Sequence, residues 1–412
     1  MASKALAPDA SGRVAARIAE IDMLRGLVIV LMALDHVRDY FHNLAFSVNP
    51  LDPDQTTPLL YSTRWITHLC APVFVVLSGI SAWLQFSNGK TIPHLSLFLF
   101  TRGLWLIVLE MTVISFGWSF GFPLLLFLQV IWAIGWSMLA LAALVWLPRA
   151  AVLLVGVAIV AGHNLLDPIL PEQLGNFAWL WMFLHEGGVV PNFETPMAYL
   201  AYPVLPWIGV IALGYGLGPI FLQVPGKRER TLLLLGLAML AAFFVLRWFN
   251  LYGDPTMPTG WETERPTWRE ETTPTAAVMT FFNVQKYPPS LQFVLVTLGI
   301  VFSLWPLLAR LRGPAAKVLN TFGAVPFFFY ILHIYLVHVL AIAANAAAGN
   351  SVEGYLNYMR NVFTAWQLFE GVGFSLPWVY LAWIVVLVLL YPLCAWFAAV
   401  KRARRDWWLS YL

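Results

Sequence analysis

The chain contains, at residues 374–398, the uncharged stretch FSLPWVYLAWIVVLVLLYPLCAWFA. A helix of about 20 apolar residues is long enough to cross a hydrocarbon core about 30 Å thick. Because backbone polar groups in lipid must hydrogen-bond within the protein, this stretch predicts a membrane-spanning helix. The whole chain has the same character, since 60% of its 412 residues are hydrophobic and 11% are charged, against about 25% charged residues in soluble domains.

Nine further apolar runs predict further spans. The ten predicted spans lie near residues 23–41, 66–86, 97–115, 122–147, 150–166, 199–222, 231–250, 289–311, 322–346 and 374–398. The Trp-rich piece 176–184 is the candidate for an eleventh, re-entrant or surface-lying segment. The sequence therefore predicts an all-α polytopic integral membrane protein, with a single domain over residues 1–412 and the lipid bilayer as its first partner.

The distribution of Lys and Arg predicts the orientation of the spans, because these residues concentrate in cytoplasmic loops. With ten spans and the N-terminus inside, seventeen of the 24 Lys and Arg lie on the cytoplasmic side. The other seven lie outside, namely Arg38, Arg64, Arg247, Arg265, Arg269, Lys286 and Arg360. We therefore expect cytoplasmic tails at residues 1–20 and 399–412. The first apolar run follows polar residues without the order of a signal peptide, so we expect it to stay as a helix.

The first span carries ionisable residues at both ends. Arg25 and His36 are eleven residues apart, which corresponds on a helix to about 16 Å along the axis and about 20° around it. Arg25 is thus expected near the cytoplasmic surface and His36 in the outer half of the bilayer. Asp35 stands beside His36, and a carboxylate can hold a His in one tautomer as a general base. The alternative is a static hydrogen bond between helices.

Further polar residues are expected at a similar depth. Arg64 and His68 lie one turn apart at the outer end of the second span. Glu110, in the third span, is costly in lipid without a partner, and we expect Arg64, His68 or His36 to pair with it. Arg64 and His68 are candidates for binding an acceptor or stabilising an oxyanion, with His68 counted among the catalytic residues. Glu110 and Lys286, the latter in an outer loop, are candidates for binding substrate.

Other candidates have a structural reading beside the functional one. His333 is a candidate substrate-binding residue in the ninth span, where it shares a face with Tyr330. Such a pair more often indicates a hydrogen bond between helices than a catalyst. Arg102 is a candidate phosphate ligand on the inner side, although topology alone explains a cation there. The two cysteines, Cys70 and Cys394, lie in apolar runs and are expected to be inert. We expect no bound metal or prosthetic group and no nucleic-acid partner, because the sequence contains no corresponding motif.

Two motifs resemble a known signature. They are the run IDMLRG at 21–26, with His36 after it, and the run APVFVVLSG at 71–79. Together they resemble the signature of transmembrane acyltransferases, which include the acyltransferase-three family of polysaccharide O-acetylases and the catalytic domain of heparan-alpha-glucosaminide N-acetyltransferase. The segments YPVLPW at 202–207, KYPPS at 286–290 and GAVPF at 323–327 are similar to bacterial proteins related to the latter. The resemblance covers nearly the whole chain and implies a bacterial plasma (inner) membrane.

The resemblance also implies roles for particular residues. In the O-acetylases an Arg and a His at this separation are essential, which corresponds to Arg25 and His36. A basic residue early in the third span meets the acyl donor, which corresponds to Arg102. The heparan enzyme uses a His just before its second span, where this chain has only His42 and His68 at the edges of the stretch. The implied co-substrate is acyl-CoA, with acetyl-CoA as the leading choice.

The resulting hypothesis is an acyl-CoA-dependent O- or N-acyltransferase. It moves an acyl group, in the first instance acetyl, from cytoplasmic acyl-CoA to a hydroxyl or amine of a glycan-like acceptor outside. Arg25 and Arg102 would bind the phosphates of the donor, and His36, oriented by Asp35, would act as base or be transiently acylated. Arg64 or His68 would bind the acceptor or stabilise the oxyanion. A homo-oligomer is left open.

Two other functions fit the same residues. A proton-coupled transporter of small molecules would use the intramembrane Asp, His and Glu as a proton relay. A non-catalytic receptor would account for the long outer loops but gives no reason for His36 at membrane depth.

Overall fold

The computed structural model describes residues 18–45, 47–254, 267–404 and 406–411. Most of them form helices, which we label α1 Ala19–Phe41, α2 Pro58–Ser87, α3 Ile92–Ser119, α4 Val130–Leu144, α5 Arg149–Leu166, α6 Val204–Leu222, α7 Pro225–Phe249, α8 Pro274–Phe282, α9 Leu291–Arg310, α10 Gly313–Ala324, α11 Pro326–Ala347, α12 Tyr358–Thr364 and α13 Leu376–Ala403. Short 3-10 turns follow at Glu353–Tyr355, Trp366–Phe369 and Trp407–Ser410.

The prediction of an all-α polytopic membrane protein is confirmed. A helix lies over each of the ten predicted spans, and among the described residues eight helices are long and apolar enough to cross a membrane. They are α2, α3, α5, α6, α7, α9, α11 and α13. The helices over the other two predicted spans, α1 and α4, do not meet this criterion, each for its own reason. Helix α1 carries too many charged residues to read as an ordinary span, and α4 has 15 residues.

Helix α4 is short because the first part of the predicted span 122–147 is a strand. Strand β1, Leu126–Leu128, pairs in parallel with β3, Ala198–Leu200, and β3 pairs antiparallel with β2, Gly188–Val190. The strand order is β1-β3-β2. This small sheet ties the loop between α5 and α6 to the junction of α3 and α4.

The Trp-rich piece 176–184 does not form a continuous spanning helix. It lies across a 3-10 helix at Pro171–Phe177, one α-helical turn at Ala178–Trp181 and a π-helical turn at Met182–Glu186. Gly175 interrupts the first of these with a positive φ of 52°. The helical stretch is therefore too short for an eleventh crossing, and its position at the membrane surface stays a prediction.

The ninth predicted span, 322–346, is divided at Pro326. A proline has no N–H to continue the preceding helix, so α10 ends at Ala324 and α11 begins at Pro326. At the end of the chain, α13 continues to Ala403 and shortens the tail predicted at 399–412. Of the tail predicted at 1–20, the part before residue 18 lies outside the described residues.

Glycines let α1 and α10 touch backbone to backbone. A Cβ on Gly26 would overlap the Leu319 carbonyl, and a Cβ on Gly323 would overlap the Asp22 carbonyl. Such close approach of small residues is how membrane helices gain packing energy. The contact holds the inner half of α1, which carries Arg25, in one position against its neighbour.

Replacing Gly323 by Ala is therefore expected to destabilise the protein by about 1–3 kcal/mol, the typical cost of overpacking. Gly226→Ala is the matched control, because a Cβ at Gly226 meets nothing within 4 Å. Thermal unfolding in detergent measures both variants. An unchanged midpoint in the Gly323 variant would show that α1 and α10 are not packed in this way.

Candidate active site

A cavity of about 910 Å³ lies at the end of the bundle that the sequence predicts to be cytoplasmic. Its volume is within the range of small-molecule sites. Five cationic side chains line it, from α1, α3, α7 and α13, namely Arg25, Arg102, Arg228, Lys401 and Arg402. Among the residues that the structure describes, one acidic side chain, Asp22, lines it as well. The wall is therefore strongly positive, which suits an anionic ligand.

Arg25 and Arg102, which the sequence predicts to share a donor site, both line this cavity. Arg25 forms an ion pair with Asp22 at 3.2 Å and donates from Nη2 to the Ser81 hydroxyl of α2. The guanidinium of Arg102 lies 6.0 Å from the centre of the Phe98 ring. These contacts set the two cations on the cavity wall, and their role in binding a donor stays a prediction.

The cavity extends along α11 as far as Tyr330. Apolar residues such as Ile134 and Phe327 line this part. The Tyr330 ring centre is 6.3 Å from that of His36 and 5.4 Å from that of His333. The two histidines are not among the described residues that line the cavity, and they lie one side chain beyond its wall.

His36 and His333 form a hydrogen bond between α1 and α11. The distance from Nδ1 of His36 to Nε2 of His333 is 2.7 Å, and the rings stack with centres 4.9 Å apart. Nδ1 of His333 lies 3.2 Å from the carbonyl of Phe329. A carbonyl can only accept, so in the neutral pair His333 donates from Nδ1 and accepts at Nε2 from His36. This assignment leaves Nε2 of His36 without a proton and able to act as a base.

The histidine pair lies in a buried aromatic environment. His36 is 7% exposed and His333 is fully buried. The Trp118 ring packs edge-on against His36 with centres 4.9 Å apart. Trp118 follows a π-helical turn, Glu110–Ile114, in α3, and such turns often occur at functional sites. The sequence does not identify Trp118, because one of twenty tryptophans in an apolar chain has no distinguishing signal.

Asp35 does not have the predicted role of orienting His36. Its carboxylate pairs with Arg38 at 3.0 Å and lies 3.8 Å from Arg64. Consecutive residues on a helix point about 100° apart, so neighbours in sequence do not face each other. His333 takes the place that Asp35 was expected to fill. The hydrogen bond between helices that the sequence offers as the alternative is therefore present, and it leaves Nε2 of His36 available.

A cluster of charged side chains, which we call the outer cluster, lies on the predicted outer side of His36. Arg38 forms ion pairs with Asp35 at 3.0 Å and with Asp39 at 2.6 Å. Lys286 is 6% exposed and lies close enough to Asp35 to act on it electrostatically. Arg64 completes the cluster. Three of the cations predicted to be outside, Arg38, Arg64 and Lys286, thus lie in this cluster, away from the cavity that Arg25 and Arg102 line.

The predicted partners of Glu110 are wrong. The Glu110 side chain is fully buried, and its Oε1 accepts from the backbone N–H of Gln129 at 2.7 Å. Its Oε2 has no hydrogen-bond partner among the described residues. Gln129 separates β1 from α4, so the irregular backbone there supplies a donor that no side-chain pattern indicates. His68 is also fully buried, with its ring edge-on to Phe293, and its catalytic role stays a prediction.

Comparison with known families shows the family of this chain. The family model for the catalytic domain of heparan-alpha-glucosaminide N-acetyltransferase matches residues 17–256, more than half of the chain. The chain belongs to this family. A comparison with curated proteins finds no match.

The heparan-alpha-glucosaminide N-acetyltransferase family supports a membrane acetyltransferase-like function, with acetyl-CoA as the implied co-substrate. The matched region contains α1 to α7 and so includes Arg25, His36, Arg64 and Arg102. His333 lies beyond the matched region, although it contacts His36 directly.

One cluster of possible metal ligands lies away from the histidine pair. His163 begins the 3-10 turn that ends α5, Asp167 follows that turn, and His185 lies in the π-helical turn at Met182–Glu186. Their ligand atoms all lie within 4.8 Å of one another. Burial raises the pKa of Asp167 to about 6 and lowers the pKa of His185. The sequence leads us to expect no metal, and the cluster makes that expectation testable.

Proposed function

We propose that this protein transfers an acyl group, in the first instance acetyl, from cytoplasmic acyl-CoA to a hydroxyl or amine of a glycan-like acceptor at the outer face of a bacterial plasma membrane. The observation that supports this most is the placement of a cationic cavity, open toward the predicted cytoplasmic end, against a buried pair of histidines. Acetyl transfer itself agrees with the family to which the chain belongs.

The cavity suits the chemistry of coenzyme A. Its phosphates carry several negative charges, and Arg and Lys are the usual ligands of phosphate groups. Arg25 and Arg102 of α1 and α3, with Arg228 of α7, would hold these charges. The apolar lining toward Tyr330 would hold the pantetheine arm with its thioester pointing at the histidine pair.

His36 would act as the general base. Its Nε2 would take the proton of the acceptor hydroxyl or amine as the acceptor atom bonds to the thioester carbonyl carbon. The C–S bond then breaks, and the proton passes from His36 to the departing thiolate to give free coenzyme A. His333 is a positioning residue, because its Nε2 accepts from Nδ1 of His36 and keeps Nε2 of His36 directed at the reaction.

The outer cluster would bind the acceptor. Arg64 and Lys286 lie on the predicted outer side of His36, beside Asp35. Charged groups and carboxylates of this kind hydrogen-bond to sugar hydroxyls. Donor and acceptor would therefore approach the histidine pair from opposite ends of the bundle.

Sealed proteoliposomes that contain acetyl-CoA labelled in the acetyl group test this proposal. A monosaccharide or amino-sugar mixture is supplied only on the opposite side. We expect covalently labelled product in the acceptor compartment and free coenzyme A in the donor compartment. Movement of unmodified sugar without labelled product would favour the transporter and contradict the proposal.

A further inference from the structure

The His163, Asp167 and His185 cluster has the composition of a metal site. Two imidazoles and one carboxylate are a common ligand set for zinc and related divalent ions. In sequence the first two ligands are four residues apart, since His163 begins a 3-10 turn and Asp167 directly follows it. The third comes from the loop between α5 and α6, so the cluster joins two separate parts of the chain.

Several polar atoms of this cluster have no conventional partner. Neither ring nitrogen of His163, nor Oδ1 of Asp167, has a hydrogen bond of normal geometry within the part of the chain that the structure describes. His163 is 2% exposed. Buried polar atoms without partners cost free energy, and a bound ion can satisfy them. Oδ1 of Asp167 instead faces Nε2 of His185 at 3.4 Å.

The surroundings resemble those of a ligated site. A metal-bound His typically donates its second ring N–H to a backbone carbonyl, and the Pro289 carbonyl lies beside His163. Oδ2 of Asp167 accepts from the Asn164 amide at 3.0 Å. Trp181 stacks on the His185 ring with centres 5.0 Å apart and limits its rotation.

To bind a zinc ion, the three ligand atoms would have to move closer together. Zinc bonds of about 2.1 Å in a tetrahedron place ligand atoms about 3.4 Å apart. The observed limit of 4.8 Å exceeds this value by about 1.4 Å. His185 also donates from Nε2 to the His163 carbonyl at 2.9 Å, so ligation through that nitrogen would replace this hydrogen bond.

We infer that His163, Asp167 and His185 bind a divalent transition-metal ion, with Zn²⁺ as the preferred ion and one coordination position left for water or another ligand. The ion would connect the end of α5 to the loop that carries β2. The same turn is held to the start of α9, where the Asn164 side chain accepts from the Leu291 N–H at 2.9 Å. The site would thus stabilise the outer loops near Lys286, independently of acyl transfer.

Metal content of the full-length protein, purified without a polyhistidine tag, tests the inference. The protein is stripped with a chelator, incubated with Zn²⁺ alone and desalted, and zinc is then measured by mass spectrometry. We expect about one Zn²⁺ per chain for the wild type. Asp167→Asn and His185→Gln should each weaken binding at least about tenfold. His94→Gln, at an exposed histidine in α3, is the matched control and should bind like the wild type.

Thermal unfolding keeps the test informative if a variant folds poorly. Zn²⁺ should raise the unfolding midpoint of the stripped wild type and of His94→Gln, but not that of Asp167→Asn. Co²⁺ should give a ligand-field absorption band that Zn²⁺ removes. The inference is overturned if the wild type binds no more zinc than the variants, or if zinc leaves the wild-type midpoint unchanged.

Discussion

His36→Ala is expected to lower kcat for acyl transfer by a factor of about 10² to 10⁴, the usual contribution of a positioned general base. The reason is that Nε2 of His36 is the basic atom of the histidine pair, as the bond from Nδ1 to His333 indicates. Release of coenzyme A, followed with a thiol reagent in purified protein, measures the rate. Full activity in a correctly folded His36→Ala protein would remove the catalytic assignment.

Two substitutions of His333, the hydrogen-bond partner of His36, test its positioning role. His333→Ala removes the acceptor for the Nδ1 proton and should also reduce kcat. In His333→Gln the amide oxygen can accept the hydrogen bond from Nδ1 of His36, so this variant should retain more activity than His333→Ala. Equal losses in the two His333 variants would indicate that His333 only fills space.

The double variant Arg25→Gln, Arg102→Gln is expected to raise KM for acetyl-CoA by about 100-fold, since hydrogen bonds to charged groups contribute about 1.5–3 kcal/mol each. Acetyl-pantetheine lacks the adenosine phosphates, so its KM should change little in the same variant. Steady-state kinetics with both donors separates loss of phosphate binding from general damage.

Arg310→Gln is the matched control for these variants. Arg310 is also predicted to be cytoplasmic, but it is exposed and does not line the cavity. It should leave both KM values unchanged. If the double variant raises KM equally for acetyl-CoA and acetyl-pantetheine, the phosphates are bound elsewhere.

Most of the fold follows from composition and helix length. Spans such as 374–398 are long and uncharged, and lipid leaves an apolar chain of that length little alternative to a helix. The structure departs from the predicted spans where strand pairing or a proline sets the local backbone conformation. Residues 126–128 are apolar enough for a helix but pair with β3 instead. Pro326 divides a run whose hydropathy is continuous.

The candidate site could be predicted only where it depends on one helix. The eleven-residue spacing of Arg25 and His36 places them at different depths of α1, as helix geometry requires. The bond from His36 to His333 joins residues 297 positions apart, and no local pattern specifies such a contact. Asp35 was a plausible partner for His36 by proximity in sequence, yet nearby arginines bind its carboxylate in the folded protein.

Photocrosslinking with an acyl-CoA that carries a diazirine in its acyl chain tests whether the cationic cavity binds the donor. If the cavity binds the donor with its acyl group toward the histidine pair, mass spectrometry should find adducts on residues such as Tyr330, Phe327 and Met138, all of which line the cavity. Excess unlabelled coenzyme A should suppress these adducts. Adducts confined to the outer loops around Lys286, or labelling that coenzyme A does not reduce, would show that the donor does not bind in this cavity.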